Sequence, residues 1–352
     1  MLTETDEKII QYAKNPAAGP QIAIIGGGTG LSTALRGLKL FSNNLTAIVT
    51  VADNGGSSGM LREDLGILPP GDIRNCILAL ADTEPLMNEL LNYRFNDGRL
   101  KGQSFGNLLI AAMNAISANF YDAVRNVSKV LAVKGRVLPV SLQDLQIHAR
   151  LRDGCVIEGE SAIGHRQATS DNAIEKITMT PPDAQALPEA IQALMSADVI
   201  VMGPGSLFTS IIPNLLFPEI RRAIRASSAV KIYVCNLMTQ PAETLGFSAA
   251  QHVQALLDHL GQKQARGYLD YCVVNNAWID RQQIARYRLE SATPVLAERS
   301  SLEQLGLKMV DAPLACINNG VIRHDHMVLA RVILRLALEN GARPRSLVRT
   351  DI

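Results

Sequence analysis

The sequence predicts an α/β fold: a Rossmann-like, doubly wound, mostly parallel sheet with helical and β-hairpin insertions. Short apolar runs of strand length alternate with helical segments at both ends of the chain. A glycine-rich loop directly follows each of the first two apolar runs, as expected where a strand turns into a helix. Hydrophobic residues make up 47% of the 352 residues, which is ordinary for a globular protein with a buried core.

The first elements form a βαβ unit preceded by a short helix. Thr3 and Asp6 suit the start of that helix, and prolines at positions 16 and 20 end it. The predicted elements are a helix over 3–14, strands over 21–26 and 45–52, and a helix over 29–40.

The middle and the end of the chain continue the alternation. Residues 70–133 have helical periodicity, and residues 137–164 alternate around an Asp153-Gly154 turn, which predicts a hairpin or small meander. Further strands are predicted over 198–203, 230–236, 271–276 and 307–311, with helices over 184–196, 216–227, 248–260, 279–288 and 325–340. We expect a single domain over 1–352, with an N-terminal helical extension over 1–20 and an insertion region over 70–165.

Charge and cysteine content narrow the class of protein. The formal net charge of +1 argues against a nucleic-acid or membrane-surface electrostatic footprint. Five scattered cysteines without a CxxC pair suit buried thiols in a reducing compartment. The polar N-terminus is unlike a signal peptide, and no apolar run reaches the roughly 18 residues of a membrane span. We therefore expect a cytoplasmic protein.

The first glycine-rich loop, GGGTG over 26–30, suits a phosphate. Glycines let backbone N–H groups approach an anion, and the following helix N-terminus attracts negative charge. The alternative is a tight turn that binds nothing. The loop is not a Walker motif, and it is a poor dinucleotide fingerprint because Leu31 stands where the third glycine would be. Asp53 lies about where a ribose-binding acid would, so NAD binding stays open.

The second loop, DNGGSSG over 53–59, follows the second strand. Asp53 and Asn54 offer short oxygen ligands, although a surface turn has a similar composition. Because parallel strands end at the same edge of a sheet, we expect both loops to open onto one crevice.

Later loops add polar candidates at strand ends and helix starts, each with packing or capping as the alternative. Asp72 or Asn75 could contact a ligand at the start of a helix. The loop over 203–210 could hold a second phosphate, and the segment over 235–244 offers amides and hydroxyls for a sugar or base. The remaining candidates are Asn107, Ser206, Thr209, Asn236, Asn276, Tyr287 and Arg323.

Six motifs in order carry a family resemblance over about residues 21–338. They are GGGTGLSTALRGLK, TVADNGGSSGMLRE, PPGDIRNCILALA, GPGSLFTSIIPNLL, CNLMTQPAETLGFSAAQHV and RHDH. Together they resemble the YvcK/CofD-like family, and within it the YvcK (GlmR) branch of gluconeogenesis factors.

The resemblance implies a regulatory protein that binds UDP-N-acetylglucosamine or a related UDP-sugar and influences cell-wall precursor supply and cell shape. It implies no catalytic residue and no required cofactor, with a possible regulatory protein partner and a possible homo-oligomer. The implied ligand contacts are Gly27, Gly28, Thr29, Asp53, Asn54, Gly205, Ser206, Asn236, Tyr287 and Arg323.

The family's other branch, the 2-phospho-L-lactate transferases, is the alternative. That branch uses a guanosine diphosphate intermediate, a deazaflavin acceptor and a divalent metal, and it carries two adjacent acids in the second loop. Here the matching pair is Asp53-Asn54. Mg²⁺ is therefore expected only if the chain is a transferase.

Overall fold

The computed structural model describes residues 3–82, 84–169 and 171–342. Its centre is a seven-stranded sheet in which every pair of neighbouring strands is parallel. The strands, in chain order, are β1 (Ile22–Gly26), β2 (Leu45–Val49), β3 (Arg136–Pro139), β4 (Gln146–Leu151), β5 (Val156–Glu158), β6 (Ile174–Thr180), β7 (Val199–Met202), β8 (Val230–Val234), β9 (Tyr271–Asn275), β10 (Lys308–Ala312), β11 (Ala315–Asn318) and β12 (Val321–His324).

The order of strands across the main sheet is β3-β2-β1-β7-β8-β9-β10. The chain builds outward from β1 to β3 on one side, then returns to β7 on the other side of β1 and builds outward to β10. The strand order therefore reverses between β1 and β7, and in open α/β sheets ligands bind beyond the carboxyl ends of the strands at such a point. This arrangement confirms the predicted doubly wound α/β class.

Helices flank the sheet and connect its parallel strands. They are α1 (Glu4–Lys14), α2 (Gly28–Leu38), α3 (Gly56–Leu65), α4 (Gly71–Leu80), α5 (Pro85–Asn92), α6 (Phe105–Ala115), α7 (Phe120–Val130), α8 (Glu160–His165), α9 (Pro188–Ser196), α10 (Ile212–Leu215), α11 (Pro218–Ala226), α12 (Ala249–Leu260), α13 (Arg281–Leu289), α14 (Arg299–Gln304) and α15 (His326–Glu339). A single π-helical turn over Leu207–Ile211 leads into α10.

The predicted βαβ unit and the helix that precedes it are present. All residues of β1 and β2 are buried, which explains why both read as continuous apolar runs. Thr3 and Asp6 form a reciprocal capping box at the start of α1: the Asp6 N–H donates to the Thr3 hydroxyl, and the Thr3 N–H donates to the Asp6 carboxylate.

The region predicted as a hairpin is more complex. Residues 136–139 join the main sheet beside β2, whereas β4 and β5 form an antiparallel hairpin to which β6 adds a third strand. The sequence pattern missed β3 because a four-residue edge strand gives little periodicity. It also missed the β11–β12 hairpin, which precedes α15.

Two cysteines depart from the expected buried thiols. Cys155 is exposed and Cys316 is half-buried, whereas the other three are buried.

Among the described residues, no helix combines the length and the apolar character that crossing a bilayer requires.

Candidate functional site

A cavity of about 310 Å³ lies beyond the carboxyl ends of β1, β7 and β8, where the strand order reverses. We call this cavity the crevice. The loops that follow these three strands form its floor, and α13 and the β11–β12 hairpin contribute residues to its rim. Eight sequence-predicted residues line it: Gly27, Gly28, Thr29, Gly205, Ser206, Asn236, Tyr287 and Arg323.

Two glycines allow the loops after β1 and β7 to meet at the crevice. Gly28 has a φ of +65°, a conformation that side chains other than glycine rarely adopt. A β-carbon added at Gly30 would lie 2.5 Å from the carbonyl oxygen of Pro204. The first loop thus holds glycines where the backbone turns and where another backbone comes close.

Asp72, from the start of α4, lies against the first loop. A β-carbon added at Gly27 would lie 2.5 Å from its Oδ2, and its carboxylate accepts a hydrogen bond from the Gly28 N–H. Burial, reinforced by the neighbouring charge of Asp53, raises the pKa of Asp72 to about 6. One first-turn amide of α2 is therefore already paired, which leaves the first-turn amides of Thr29 and Gly30 available to a ligand.

The loops after β7 and β8 are joined by a chain of side-chain hydrogen bonds. The Gly205 N–H donates to Asn236 Oδ1 (3.3 Å), Asn236 Nδ2 donates to Gln240 Oε1 (3.2 Å), and Gln240 Nε2 donates to Ser206 Oγ (2.7 Å). Gln240 lies in the segment over 235–244 but was not among the predicted contacts. This chain fixes a wall of amides and a hydroxyl, which can read sugar or base edges.

The rim of the crevice carries a cation and a neutral histidine. The Tyr287 hydroxyl accepts the Ile322 N–H (3.0 Å), which joins α13 to β12. Next to Ile322, Arg323 is exposed, and no ion pair engages its guanidinium within the described residues. His324 Nε2 contacts the Cys235 carbonyl (3.2 Å), and burial lowers the pKa of His324 to about 4, so the ring is neutral near pH 7.

Five predicted residues lie outside the lining of the crevice. Three of them contact other protein groups: Asn107 Nδ2 donates to Ser57 Oγ (3.0 Å), Thr209 Oγ1 to Glu243 Oε1 (2.8 Å), and Asn276 Nδ2 to Asp311 Oδ2 (2.8 Å).

The other two, Asp53 and Asn54, belong to the second loop, which does not line the crevice. Asp53 Oδ1 accepts the Gly55 N–H (2.9 Å), and Asn54 Oδ1 accepts the Ser161 N–H (2.8 Å) at the start of α8. The sequence predicts one crevice for both loops, but of the two only the first loop contributes residues to the lining. The dinucleotide alternative also needs Asp53 beside the ligand's ribose, and Asp53 is not part of the lining.

Asp53, Asp72 and Glu160 form an acidic cluster behind the first loop. Burial is the main cause that raises the pKa of Glu160 to about 8, with the charges of Asp53, Glu243 and Asp72 adding to it. Sequence reasoning missed Glu160 because it lies in the insertion region, about 90 residues after Asp72. At least two of these carboxyl groups resist ionisation through proximity and burial.

The donor set at the second loop does not fit the divalent metal of the transferase branch. The loop offers a single carboxylate, that of Asp53, and the side-chain oxygen of the neighbouring Asn54 already accepts the Ser161 N–H. Among residues 3–82, 84–169 and 171–342, no three His, Cys, Asp or Glu side chains are grouped so as to hold a metal ion.

Comparison with known proteins gives consistent matches over most of the chain. The family model described as 2-phospho-L-lactate transferase CofD matches residues 22–315. A "Putative gluconeogenesis factor" of Thermoanaerobacterium thermosulfurigenes is 54% identical over 90% of this chain and 97% of its own length. The "Gluconeogenesis factor" of Bacillus subtilis is 47% identical over 91% of this chain and 99% of its own length.

A solved structure agrees with these matches. The crystal structure of a UPF0052 family protein from Bacillus halodurans is 44% identical and has a TM-score of 0.84, covering 89% of this chain and 99% of that one. The chain therefore belongs to the CofD-like family and, within it, to the branch of gluconeogenesis factors.

Proposed function

We propose that this chain is a regulatory protein that binds a nucleotide diphosphate-sugar of the UDP-N-acetylglucosamine class in the crevice. The observation that carries the proposal is the meeting of three strand-end loops and the free cation of Arg323 at the point where the strand order reverses. Open α/β sheets bind ligands at this point, and a guanidinium pairs well with phosphate oxygens.

The polar groups of the crevice suit the parts of such a ligand. The first-turn amides of α2, the Ser206 hydroxyl and Arg323 can neutralise a diphosphate. Asn236 and Gln240 present amides suited to uracil or sugar hydroxyls. Because His324 is neutral and its Nε2 contacts a carbonyl, its Nδ1 is left to accept a hydrogen bond from the ligand.

Sensing requires only that the ligand favour one conformation over another. A tenfold change in affinity for a partner protein corresponds to about 1.4 kcal/mol of coupling. The relatives named gluconeogenesis factor support a regulatory role. In this proposal the ligand reports the supply of cell-wall precursors and, through a protein partner, affects cell shape.

The second candidate is a phosphotransferase of the 2-phospho-L-lactate transferase type. The description of the matching family model favours it, as do the half-buried carboxyl groups beside the first loop, whose pKa values are raised. The poor fit of the second loop to a divalent metal weighs against it.

Calorimetric titration with UDP-N-acetylglucosamine, with and without Mg²⁺, distinguishes the two candidate functions. Mass spectrometry of the recovered ligand then shows whether it has been consumed. We expect 1:1 binding that Mg²⁺ does not change, with the ligand intact. Arg323→Ala should weaken binding roughly tenfold to a hundredfold, because the diphosphate loses a charged partner. The matched control is Arg222→Ala, an exposed arginine on α11, which should leave the affinity unchanged.

Two outcomes would overturn the proposal. One is the absence of binding to any UDP-sugar, and the other is consumption of the ligand when metal and an acceptor are added. Equal losses in the Arg323 and Arg222 variants would contradict the placement of the diphosphate.

A further inference from the structure

A second concave site lies between α1 and α15, away from the crevice. Its volume is about 480 Å³, and Phe41, just after α2, closes one side. Ile9 and Phe41, which are 7% and 3% exposed, line its depth, while Ile10 and Ala13 line its open side. We call this site the α1–α15 groove. Its size is within the range of cavities that hold small molecules, and most of its surface is apolar.

More cations than acids line the rim of this groove, above its apolar floor. Arg331 and Arg335 are one helical turn apart on α15, and Lys14 ends α1 on the other side. The nearest acid, Asp6, is engaged in the capping box with Thr3, and one of its oxygens lies 3.8 Å from Arg335.

The other two cations are less closely engaged, although the charge of Arg331, like that of Arg335, helps to lower the pKa of Asp6. Within the part of the chain that the structure describes, neither Arg331 nor Lys14 forms an ion pair or a side-chain hydrogen bond. Among the described residues that line the groove, three cations face one acid, which leaves a surplus of two positive charges above the apolar floor.

An apolar floor below a rim with more cations than acids selects for a particular chemistry. Guanidinium groups bind carboxylate and phosphate oxygens through paired N–H donors. The floor offers an alkyl chain burial away from water, which is favourable for every methylene group. A neutral lipid would leave the cations unused, and a hydrophilic anion would leave the floor exposed.

We propose that the α1–α15 groove binds a single-chain anionic amphiphile, with its carboxylate or phosphate head at Arg331, Arg335 and Lys14 and its alkyl chain on Ile9, Ile10 and Phe41. The depth of the floor favours a free molecule over a bilayer surface, because a chain that reaches Ile9 and Phe41 must leave the membrane. Both helices lie outside residues 22–315, so the family model includes only Phe41 of this groove. The 11-residue α2, roughly 16 Å long, runs from the crevice loop towards Phe41, so both ligands can be bound at once.

The test titrates the full chain with dodecanoate and with dodecyl phosphate, each below its critical micelle concentration, by calorimetry. We expect 1:1 binding of both, at least tenfold weaker binding of octanoate, and no binding of dodecyltrimethylammonium. A double variant, Arg331→Ala with Arg335→Ala, should weaken dodecanoate binding at least tenfold, and so should Ile10→Asp. Arg222→Ala and Met195→Asp are matched controls for charge and for exposure, since Ile10 is 42% and Met195 47% exposed.

Each variant is checked by thermal melting, and the Arg331→Lys with Arg335→Lys variant keeps the charge and should retain most of the binding. The proposal is overturned if dodecanoate shows no 1:1 binding, if the cationic amphiphile binds equally well, or if groove and control variants behave alike. Binding to phosphatidylglycerol vesicles without binding to free dodecanoate would also overturn it, in favour of a membrane surface. Binding of an acidic amphipathic peptide in place of dodecanoate would overturn it in favour of a protein partner.

Discussion

The crevice and the acidic cluster lie on two sides of the same glycine-rich loop, and their electrostatics are opposite. On the crevice side, amides, hydroxyls and the unpaired Arg323 remain open to a ligand. On the other side, Asp72 and Glu160 are half-buried carboxyl groups whose pKa values are raised to about 6 and about 8. The loop thus separates a region prepared for an anion from one that already contains the protein's own acids.

This difference means that a glycine-rich loop at a strand end does not by itself indicate on which side of the loop a ligand binds. On the β2 side, α4 brings Asp72 to the Gly28 amide, so the protein supplies the anion. On the β7 side, the neighbouring loop bonds to other loops and leaves its donors around an open cavity. The variants below test this division.

The largest effect is expected from Gly30→Ala, because it would separate the two loops that form the crevice. The added β-carbon would lie 2.5 Å from the Pro204 carbonyl oxygen, and a backbone atom cannot easily move away. We expect the free energy of unfolding to fall by about 3 kcal/mol and the affinity for UDP-N-acetylglucosamine to fall about a hundredfold. Urea denaturation and calorimetric titration measure the two quantities.

Gly164→Ala is the matched control for this substitution. Gly164 also lies within a helix, and a β-carbon there would meet only Glu160 Oε1, at 4.0 Å. Its stability should change by less than about 1 kcal/mol, and its affinity should not change. Equal losses in the two variants would show that the contact between the loops is unimportant.

The next effect concerns the acidic cluster and depends on pH. The folded-state pKa of Asp72, about 6, lies above its unfolded value, so its contribution to stability is complete below about pH 4 and is lost as the pH rises through 6. Asp72→Asn removes this titration while keeping an oxygen that can accept the Gly28 N–H. Between pH 4.5 and pH 7.5 the variant should gain about 2 kcal/mol relative to the original protein.

Urea denaturation at both pH values measures this gain. Two histidines titrate the other way, with the pKa of His252 and of His324 lowered to about 4, but they are common to both proteins and cancel in the difference. A variant with the same pH dependence as the original would mean that Asp72 is ionised in the folded protein at low pH.

The sequence predicted the parallel sheet well because its signals are local. Continuous apolar runs such as β1 and β2 are buried on both faces, and most helices start at a glycine, a proline or a capping residue, α14 being an exception. The insertion region and the strand that follows it were harder to predict because long-range pairing decides which sheet β3, β4 and β6 join. A four-residue edge strand such as β3 carries little pattern of its own.

The candidate site divides in the same way. Residues directly after a strand, such as Gly28, Ser206 and Asn236, were predicted from the rule that strand ends meet, and they line the crevice. Asp53 also follows a strand, but it does not line the crevice. Asp72 packs against the first loop on the side of Asp53, and this long-range contact is one that no local pattern reveals. Glu160 was missed for the same physical reason.

A smaller effect is expected at the rim of the crevice. Tyr287→Phe removes the acceptor of the Ile322 N–H and loosens the segment that carries Arg323. We expect a loss of about 1 kcal/mol in the free energy of unfolding and roughly threefold to tenfold weaker ligand binding. Tyr93→Phe, at a half-exposed tyrosine of the insertion region, is the control and should change neither quantity. If the Tyr93 variant loses as much affinity as the Tyr287 variant, or if the Tyr287 variant loses none, the rim is not part of the ligand site.

The smallest effect is expected from Asn276→Ala, which tests the boundary of the crevice. The sequence predicts Asn276 as a ligand contact, but its exposed amide donates to Asp311 at 2.8 Å and does not line the cavity. An exposed polar pair of this kind contributes little, so stability should change by less than about 0.5 kcal/mol. The affinity for UDP-N-acetylglucosamine should stay within about twofold, whereas Arg323→Ala measured in the same titration should lose at least about tenfold. A tenfold loss at Asn276 would mean that the ligand extends past the end of β9, and the strand-end rule would then describe the site better than the cavity does.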